Sequence, residues 1–321
     1  MKNMVNPQFL YQTTFSIYAL TVFQGPIVRV NPHELHISDP EFYTEIYASP
    51  SRRREKNPKL AAISGTPSSM VAAVDHGLHR SRRDILIGFF SKKSISNIET
   101  MMKSKIEKLV KRLSIAHKTN TVIRLDGASA ALTADIVAEY AYGANMGYLD
   151  HPNFKNEVSD AVKSLGSLMH ILKLFPFLME ISKVIPDALV AKLSPDTGRV
   201  LRLQKQIREQ VFTSLKVKDN SSGPYTMFDA LSDASVPLEE RNINRLQDEA
   251  FFLFGAGTET TAKAFDTIML HLLSNKALLA TLRRELEQFP SNTWAELEKL
   301  PYMVRNIMFY CRIDTHCSYL I

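Results

Sequence analysis

Hydrophobic and polar positions alternate with a period of two in one place only, the stretch GPIVRVNPHELHIS at 25–38. A Gly-Pro opening, β-branched alternation and the turn pair Asn31-Pro32 predict a hairpin of two short strands. DPEFYTEIYA (39–48) follows, with Asp39 placed to cap a helix and Pro40 at its first position. SPSRRREKNPKL then reads as a basic loop, and AAISGTPSSMVAAV (61–74) as a small-residue, uncharged one.

From residue 75 onward the helical period takes over. SNIETMMKSKIEKLVKRL suggests a capping box between Ser96 and Glu99 and aligns Ile98, Met102, Ile106, Leu109 and Leu113 on one face. ASAALTADIVAEYAYG (128–143) is small and apolar nearly all round, which predicts a buried helix ending at Gly143. Apolar helices over 153–190 should break at Pro176 and Pro186. An amphipathic helix is expected over 198–218, and the polar loop DNSSGPY follows it. Helices are then predicted over 228–233, 238–274 and 276–288. No internal repeat interrupts this order. The fold class is therefore mainly α with a small β hairpin near the N-terminus, in one mostly helical domain.

Composition narrows the picture modestly. With 321 residues, 45% hydrophobic and 22% charged, the chain is an ordinary globular protein rather than a disordered or fibrous one. A net charge of +6 suits an acidic partner or an anionic membrane surface without demanding either. The two cysteines, Cys311 and Cys317, both lie in the last eleven residues, which excludes a disulfide framework for the body. FLYQTTFSIYALTVF (9–23) is a weak anchor candidate: fifteen residues containing Gln12 are too short and polar for a membrane span. It also lacks the charged start and cleavage site of a signal peptide.

The apolar run AFFLFGAG within 250–257 should lie in the core, yet FFLFGAGTETTAKAF (251–265) carries two glycines, three threonines and a glutamate at its centre. Gly255 and Gly257 each cost about 0.5–1 kcal/mol relative to alanine inside a helix. Such local conflict tends to sit at functional sites. The absent side chains at 255 and 257 could open a groove for a flat ligand. Thr260 could turn its hydroxyl to the carbonyl four residues back, and Glu259 beside it is a proton-transfer group. The plainer reading is that Glu259 and Lys263 form an i, i+4 surface ion pair and the glycines allow close helix packing.

DHGLHRSRRDILIGFF (75–90) places His76, His79, Arg80 and Arg83 along one helix face, with His79 and Arg83 one turn apart. Together these two could hold one anionic group, and arginine suits a carboxylate especially. A solvated basic face is the alternative. Nucleic-acid binding has little support, since the Arg52–Arg54 cluster has no interleaved aromatics and no recognition motif is present.

The two motifs in this order resemble the cytochrome P450 family, and its fungal microsomal-type members in particular. AGTETT (256–261) resembles the oxygen-binding motif of the family's long central helix. HRSRRDILIGFFS (79–91) is similar to its propionate-binding helix, with His79 and Arg83 in place of the commoner Trp-x-x-x-Arg. GPIVRVNPHELHISDPEFY resembles the first hairpin, and ALTADIVAEYAYG a buried helix of the family. The likeness runs from about Gly25 to Tyr302. It implies a heme cofactor held at its propionates by His79 and Arg83 and lying against Ala256 and Gly257. Thr260 with Glu259 would deliver protons for heterolytic splitting of the O–O bond. The resemblance further implies electrons from NADPH through a flavoprotein reductase, cytochrome P450 reductase. It also implies a hydrophobic small-molecule substrate such as a terpenoid or polyketide, in secondary metabolism. The loop at 65–75 and the helices at 168–186 correspond to regions that enclose substrate and, in membrane-bound members, touch the bilayer. The family implies the endoplasmic reticulum membrane with peripheral contact, whereas this sequence without a clear anchor would suit the cytoplasm.

Two family elements have no match. Where a Glu-x-x-Arg helix is expected, VRNIMFYCRID places Phe309 at the glutamate position and Arg312 at the arginine. The segment that carries the heme-ligating cysteine is not found, so no metal ligand is assigned. The expectation is thus an incomplete cytochrome P450 fold. It comprises an atypical segment at 1–24, a partial domain at 25–302 and a divergent tail at 303–321. The chain is either an incomplete version of a monooxygenase or a non-catalytic remnant or lipophilic-ligand binding protein.

Overall fold

The computed structural model describes residues 25–32, 34–47, 52–62, 64–154, 158–175, 177–217, 225–289 and 293–307. The weak anchor candidate at 9–23, Phe309, Arg312 and both cysteines lie outside them. The described residues fall into two units divided between Glu55 and Lys56, a boundary inside the 25–302 stretch expected to form one domain.

The first unit is the predicted hairpin and its helix. Strands β1 (Ile27–Asn31) and β2 (Glu34–Ile37) pair antiparallel, with Ile27 opposite Ile37, Val28 opposite His36 and Arg29 opposite Leu35. The register shifts between Arg29 and Asn31, where the chain enters its Asn-Pro turn. Asp39 caps the following 3-10 turn as expected: its carboxylate accepts the Glu41 N–H at 2.9 Å, and Pro40 stands at the first turn. Helix α1 (Tyr43–Ile46) completes the unit.

The second unit is helical among its described residues. Its early helices are α2 (Pro58–Ala62), α3 (His76–Leu86), α4 (Lys92–Asn97), α5 (Glu99–Lys118) and α6 (Leu125–Tyr142). Helices α7 (Val158–Leu174), α8 (Phe177–Val184), α9 (Asp187–Leu193) and α10 (Pro195–Val217) follow, with breaks where the prolines predicted them. The last described elements are α11 (Met227–Leu231), α12 (Ile243–Ser274), α13 (Lys276–Gln288) and α14 (Trp294–Leu297). No described helix is long and apolar enough to cross a membrane.

Helices α6 and α12 form the centre. On α6, Ala128, Ala131, Ala134 and Ala138 are fully buried, and side chains this small let the backbone of α12 come close. Gly143 ends α6 in the left-handed conformation at φ 67°, which favours glycine. Tyr142 packs edge-on to Phe228 of α11, ring centres 5.5 Å apart, and tilted against Phe254 of α12 at 6.3 Å. Two side-chain bonds tie the central pair. Thr133 donates its hydroxyl to the Thr258 carbonyl at 3.1 Å, and Ser129 donates to Asp266 at 2.6 Å.

The Ser96–Glu99 capping box does not form. Ser91 instead caps α4 by accepting the Ser94 N–H, and Ile98 precedes α5 without a side-chain cap. The Glu99 carboxylate is drawn away: it pairs with Lys103 at 3.0 Å and accepts the Trp294 N–H at 2.9 Å. A long-range donor has replaced the local one, which spacing alone could not reveal.

Candidate functional site

Helix α12 holds the stretch that was inconsistent as a plain core helix. Asn242 caps it by accepting the Arg245 N–H at 2.9 Å, and thirty-two residues at 1.5 Å each give about 48 Å of rod. The polar centre divides among the faces of this rod. Thr258 is fully buried, with its carbonyl bound to Thr133. Ala256, Thr260 and Lys263 repeat at i, i+4 and i+7 along an exposed face. Thr260 donates its hydroxyl to the Ala256 carbonyl at 2.6 Å, the back-bond expected from its position.

Gly257 does not belong to that exposed face. A Cβ built on it would stand 3.0 Å from Val137 Cγ2 on α6, so its missing side chain serves helix packing. The idea that this glycine opens a ligand groove is corrected accordingly. The surface that a flat ring could approach is carried by Ala256 and Thr260. A Cβ built on Gly255 would stand 3.6 Å from Val162 Cγ2 of α7.

Glu259 takes neither of the ordinary solvent roles. It forms no ion pair with Lys263, and its buried Oε2 has no hydrogen-bond partner. A buried carboxylate oxygen left without a protein donor is costly. The buried Thr258 hydroxyl next to it is also unpartnered.

Helix α3 carries the cations. Asp75 caps it by accepting the Leu78 N–H at 2.7 Å. Along its outer face Arg80 leans to Asp84 at 3.9 Å. Arg83 is exposed and has no acidic partner among the described residues, while His79 is half-buried. Burial, and then the positive charges of Lys56, Arg83 and His76, hold the His79 imidazole below the usual histidine range.

Arg82 points the other way, and sequence spacing did not single it out. Its guanidinium grips Glu240 with two bonds of 2.7 and 2.8 Å. Glu240 also accepts from Arg245 at 3.2 Å, and Arg245 pairs with the buried Glu249 at 2.5 Å. Arg82 and Arg245 together hold the Glu240 carboxyl below its usual range, Arg82 more strongly. This chain of charges joins α3, the 3-10 turn at Leu238–Glu240 and α12. It thereby ties the helix of His79 and Arg83 to that of Glu259 and Thr260. Only the i, i+4 spacing of Arg245 and Glu249 was legible beforehand; the link to residue 82 is not local.

Residues 12–308 match the family model described as Cytochrome P450. The chain belongs to the cytochrome P450 family. It is 56% identical over 284 residues to conidiogenone synthase PchP450 of Penicillium rubens, covering 88% of this chain and 58% of that protein. It is 39% identical to cytochrome P450 monooxygenase claJ of Penicillium crustosum, covering 87% of this chain and 66% of that one. The crystal structure of a cytochrome P450 (CYP102L1) superposes with a TM-score of 0.69 at 17% identity, over 97% of this chain and 71% of that one. The fold is thus a P450 fold, and the chain spans about 58–66% of the length of these two curated relatives. The matched region begins inside the segment at 1–24 that the sequence reading set apart.

The family implies a heme-iron cofactor, and the residues present suit one. The half-buried imidazole of His79 and the exposed guanidinium of Arg83, one turn apart, offer hydrogen-bond donors to carboxylate groups. Ala256 and Thr260 are exposed on one face of α12, and Thr258 Oγ1 and Glu259 Oε2 are buried polar atoms between them in sequence.

Proposed function

We propose that this chain forms the oxygen-activating part of a heme monooxygenase. The enzyme would insert one oxygen atom from O2 into a hydrophobic small molecule of secondary metabolism, of terpenoid or polyketide type. The observation that carries this reading is the unpartnered buried oxygen of Glu259 one residue from the exposed, carbonyl-bound hydroxyl of Thr260. His79 and Arg83 would hold the heme carboxylates, and Ala256 would set the approach of the ring to α12. Gly257 acts indirectly, by seating α12 on α6 so that Ala256 faces outward. Heme iron, when bound, supplies the centre at which dioxygen is reduced and its O–O bond split.

Glu259 Oε2 lies buried without a protein hydrogen-bond partner, one residue before Thr260. Thr260 Oγ1 is the adjacent group on the outer face. It donates to Ala256 in the resting arrangement, and a turn about its side-chain torsion redirects that O–H outward. A proton can then pass from Glu259 to the exposed face through Thr260. Electrons would come from NADPH through a flavoprotein reductase, for which the chain's positive balance is suited. The family's association with the endoplasmic reticulum membrane is carried over to this chain on the same basis. The identity to conidiogenone synthase PchP450 supports a role in forming a compound related to conidiogenone.

Thr260→Ala in the heme-loaded protein with its reductase tests the proton path. NADPH consumption should continue while product formed per NADPH falls by about tenfold or more, with peroxide released instead. Unchanged coupling in that variant would remove Thr260 from the mechanism.

A further inference from the structure

Helix α10 has two sides of different character. Val200, Leu203, Ile207 and Val211 recur at helical spacing and are buried in the core. Gly198, Leu201, Lys205 and Arg208 recur at i, i+3, i+7 and i+10 on another side, where they line a cavity of about 430 Å³. Ala188 and Ala191 of α9 and Gln247 of α12 also line it. A Cβ built on Gly198 would stand 3.0 Å from Ala191 Cβ, so this glycine lets α10 close on α9 beside the cavity.

Its charged lining is unbalanced: Arg202, Lys205 and Arg208 stand against one acid, Asp187. Cations on the outer side of a helix are ordinarily just solvated, but Arg208 is built differently. It is half-buried and is held by neutral groups. Its Nη1 donates to Gln247 Oε1 at 2.5 Å and to Asn244 Oδ1 at 3.1 Å. Its guanidinium carbon lies 5.7 Å from the centre of the Phe212 ring. By contrast Arg199, earlier on the same helix, pairs with the carboxylate of Asp196. Arg208 is thus fixed in place through Nη1 while its charge is left without a counter-charge. The Nε–Nη2 edge, which can grip two oxygens of one oxyanion side by side, bonds to no described residue. Lys205, at i−3 from Arg208, also has no ion pair among the described residues.

We infer that the cavity between α9, α10 and α12 binds a small organic anion, with a phosphate or carboxylate head on Arg208 and Lys205. The hydrocarbon body of that ligand lies over Ala188, Ala191 and Leu201. The volume falls within the roughly 300–1,000 Å³ of small-molecule sites, and a cation already fixed in place binds its anion at a lower ordering cost. The site is separate from the Ala256–Thr260 strip. Gln247 precedes Ala256 by nine residues, or about two and a half turns, which sets the two on opposite sides of α12. The inference does not rest on the monooxygenase reading.

The test is calorimetric titration of the full chain with hexyl phosphate, inorganic phosphate and hexanol. Hexyl phosphate should bind one-to-one, about tenfold or more tighter than inorganic phosphate because its hydrocarbon is buried. Hexanol should show no saturable binding. Arg208→Gln should weaken hexyl phosphate by about tenfold or more, the loss expected for a charge-assisted pair. Ala188→Trp, which fills the cavity from an exposed position, should remove binding without changing the unfolding temperature. Should Arg208→Gln fail to fold, the exposed Lys205→Met carries the same test, with an expected loss of about threefold or more. Lys111→Gln on α5 removes one charge elsewhere and should leave affinity unchanged; an equal loss there would overturn the site. Absence of hexyl phosphate binding would overturn it too. Phosphatidic acid vesicles separate a lipid headgroup from a soluble anion. Vesicle binding that depends on Arg208, with no binding of hexyl phosphate in solution, would replace the cavity ligand by a membrane surface and so overturn the proposal.

Discussion

A threonine hydroxyl within a helix has one acceptor always in reach, the carbonyl four residues back, and Thr260 takes it. That bond was legible from position alone. The fate of Glu259 was not: i, i+4 spacing to Lys263 suggested an ordinary ion pair, whereas the carboxylate turns inward and leaves Oε2 unpartnered. Spacing gives what a side chain can reach, and the surrounding helices decide which way it turns. His79 shows the same principle through charge. Burial and three neighbouring cations hold its imidazole low, Lys56 being the strongest of the three. In the folded protein His79 therefore binds a proton less readily than in the unfolded chain. Stability from this residue is full above the usual histidine range and is lost as pH falls through that range toward the depressed folded value. Followed by NMR, the His79 ring should titrate below the usual histidine range. In Lys56→Met it should move back up, and the acid-side loss of stability should shrink. Titration of His79 at or above the usual range in the unaltered protein would contradict the cation cluster.

At the scale of elements, α12 works because neighbouring positions serve opposite faces. Gly257 abuts Val137 on α6, and Ala256 stands on the outer face. The two small residues are adjacent in sequence and read alike there; only the rotational setting of the rod separates packing from access. Substitution should separate them as well. Gly257→Leu forces a side chain into the α6 contact and should cost about 1–3 kcal/mol of stability by denaturant unfolding. That cost exceeds the roughly 1 kcal/mol a helix gains when glycine is replaced. Ala256→Leu should leave stability within about 0.5 kcal/mol, as exposed substitutions do, while blocking heme uptake. Equal destabilisation by both would mean that the two faces are wrongly assigned. Helix α6 was the easiest element to anticipate, since a run that is small and apolar all round can only be buried, and Gly143 marks its end. Helix α5 was right in its course but wrong at its start, because Glu99 found the distant Trp294 N–H.

At the scale of the whole molecule, what escaped the sequence is what joins distant segments. The order of hairpin, buried helix and central rod could be read off period and punctuation. The charges linking Arg82 and Arg245 through Glu240 could not, because no local pattern connects residues 82 and 240, so far apart in the chain. That network is what carries α3 and its cations alongside α12 and its acid–hydroxyl pair. The resulting unit carries both the His79–Arg83 pair and the exposed Ala256–Thr260 strip. Whether those two features serve one ligand is decided most directly by optical titration of the purified chain with heme. Unaltered chain should be compared with a variant carrying both His79→Ala and Arg83→Ala. We expect saturable one-to-one binding, weakened by about tenfold or more when the two side chains are removed, in keeping with the lost charge-assisted bond of Arg83. Binding that does not saturate, or that ignores the loss of both side chains, would contradict the account.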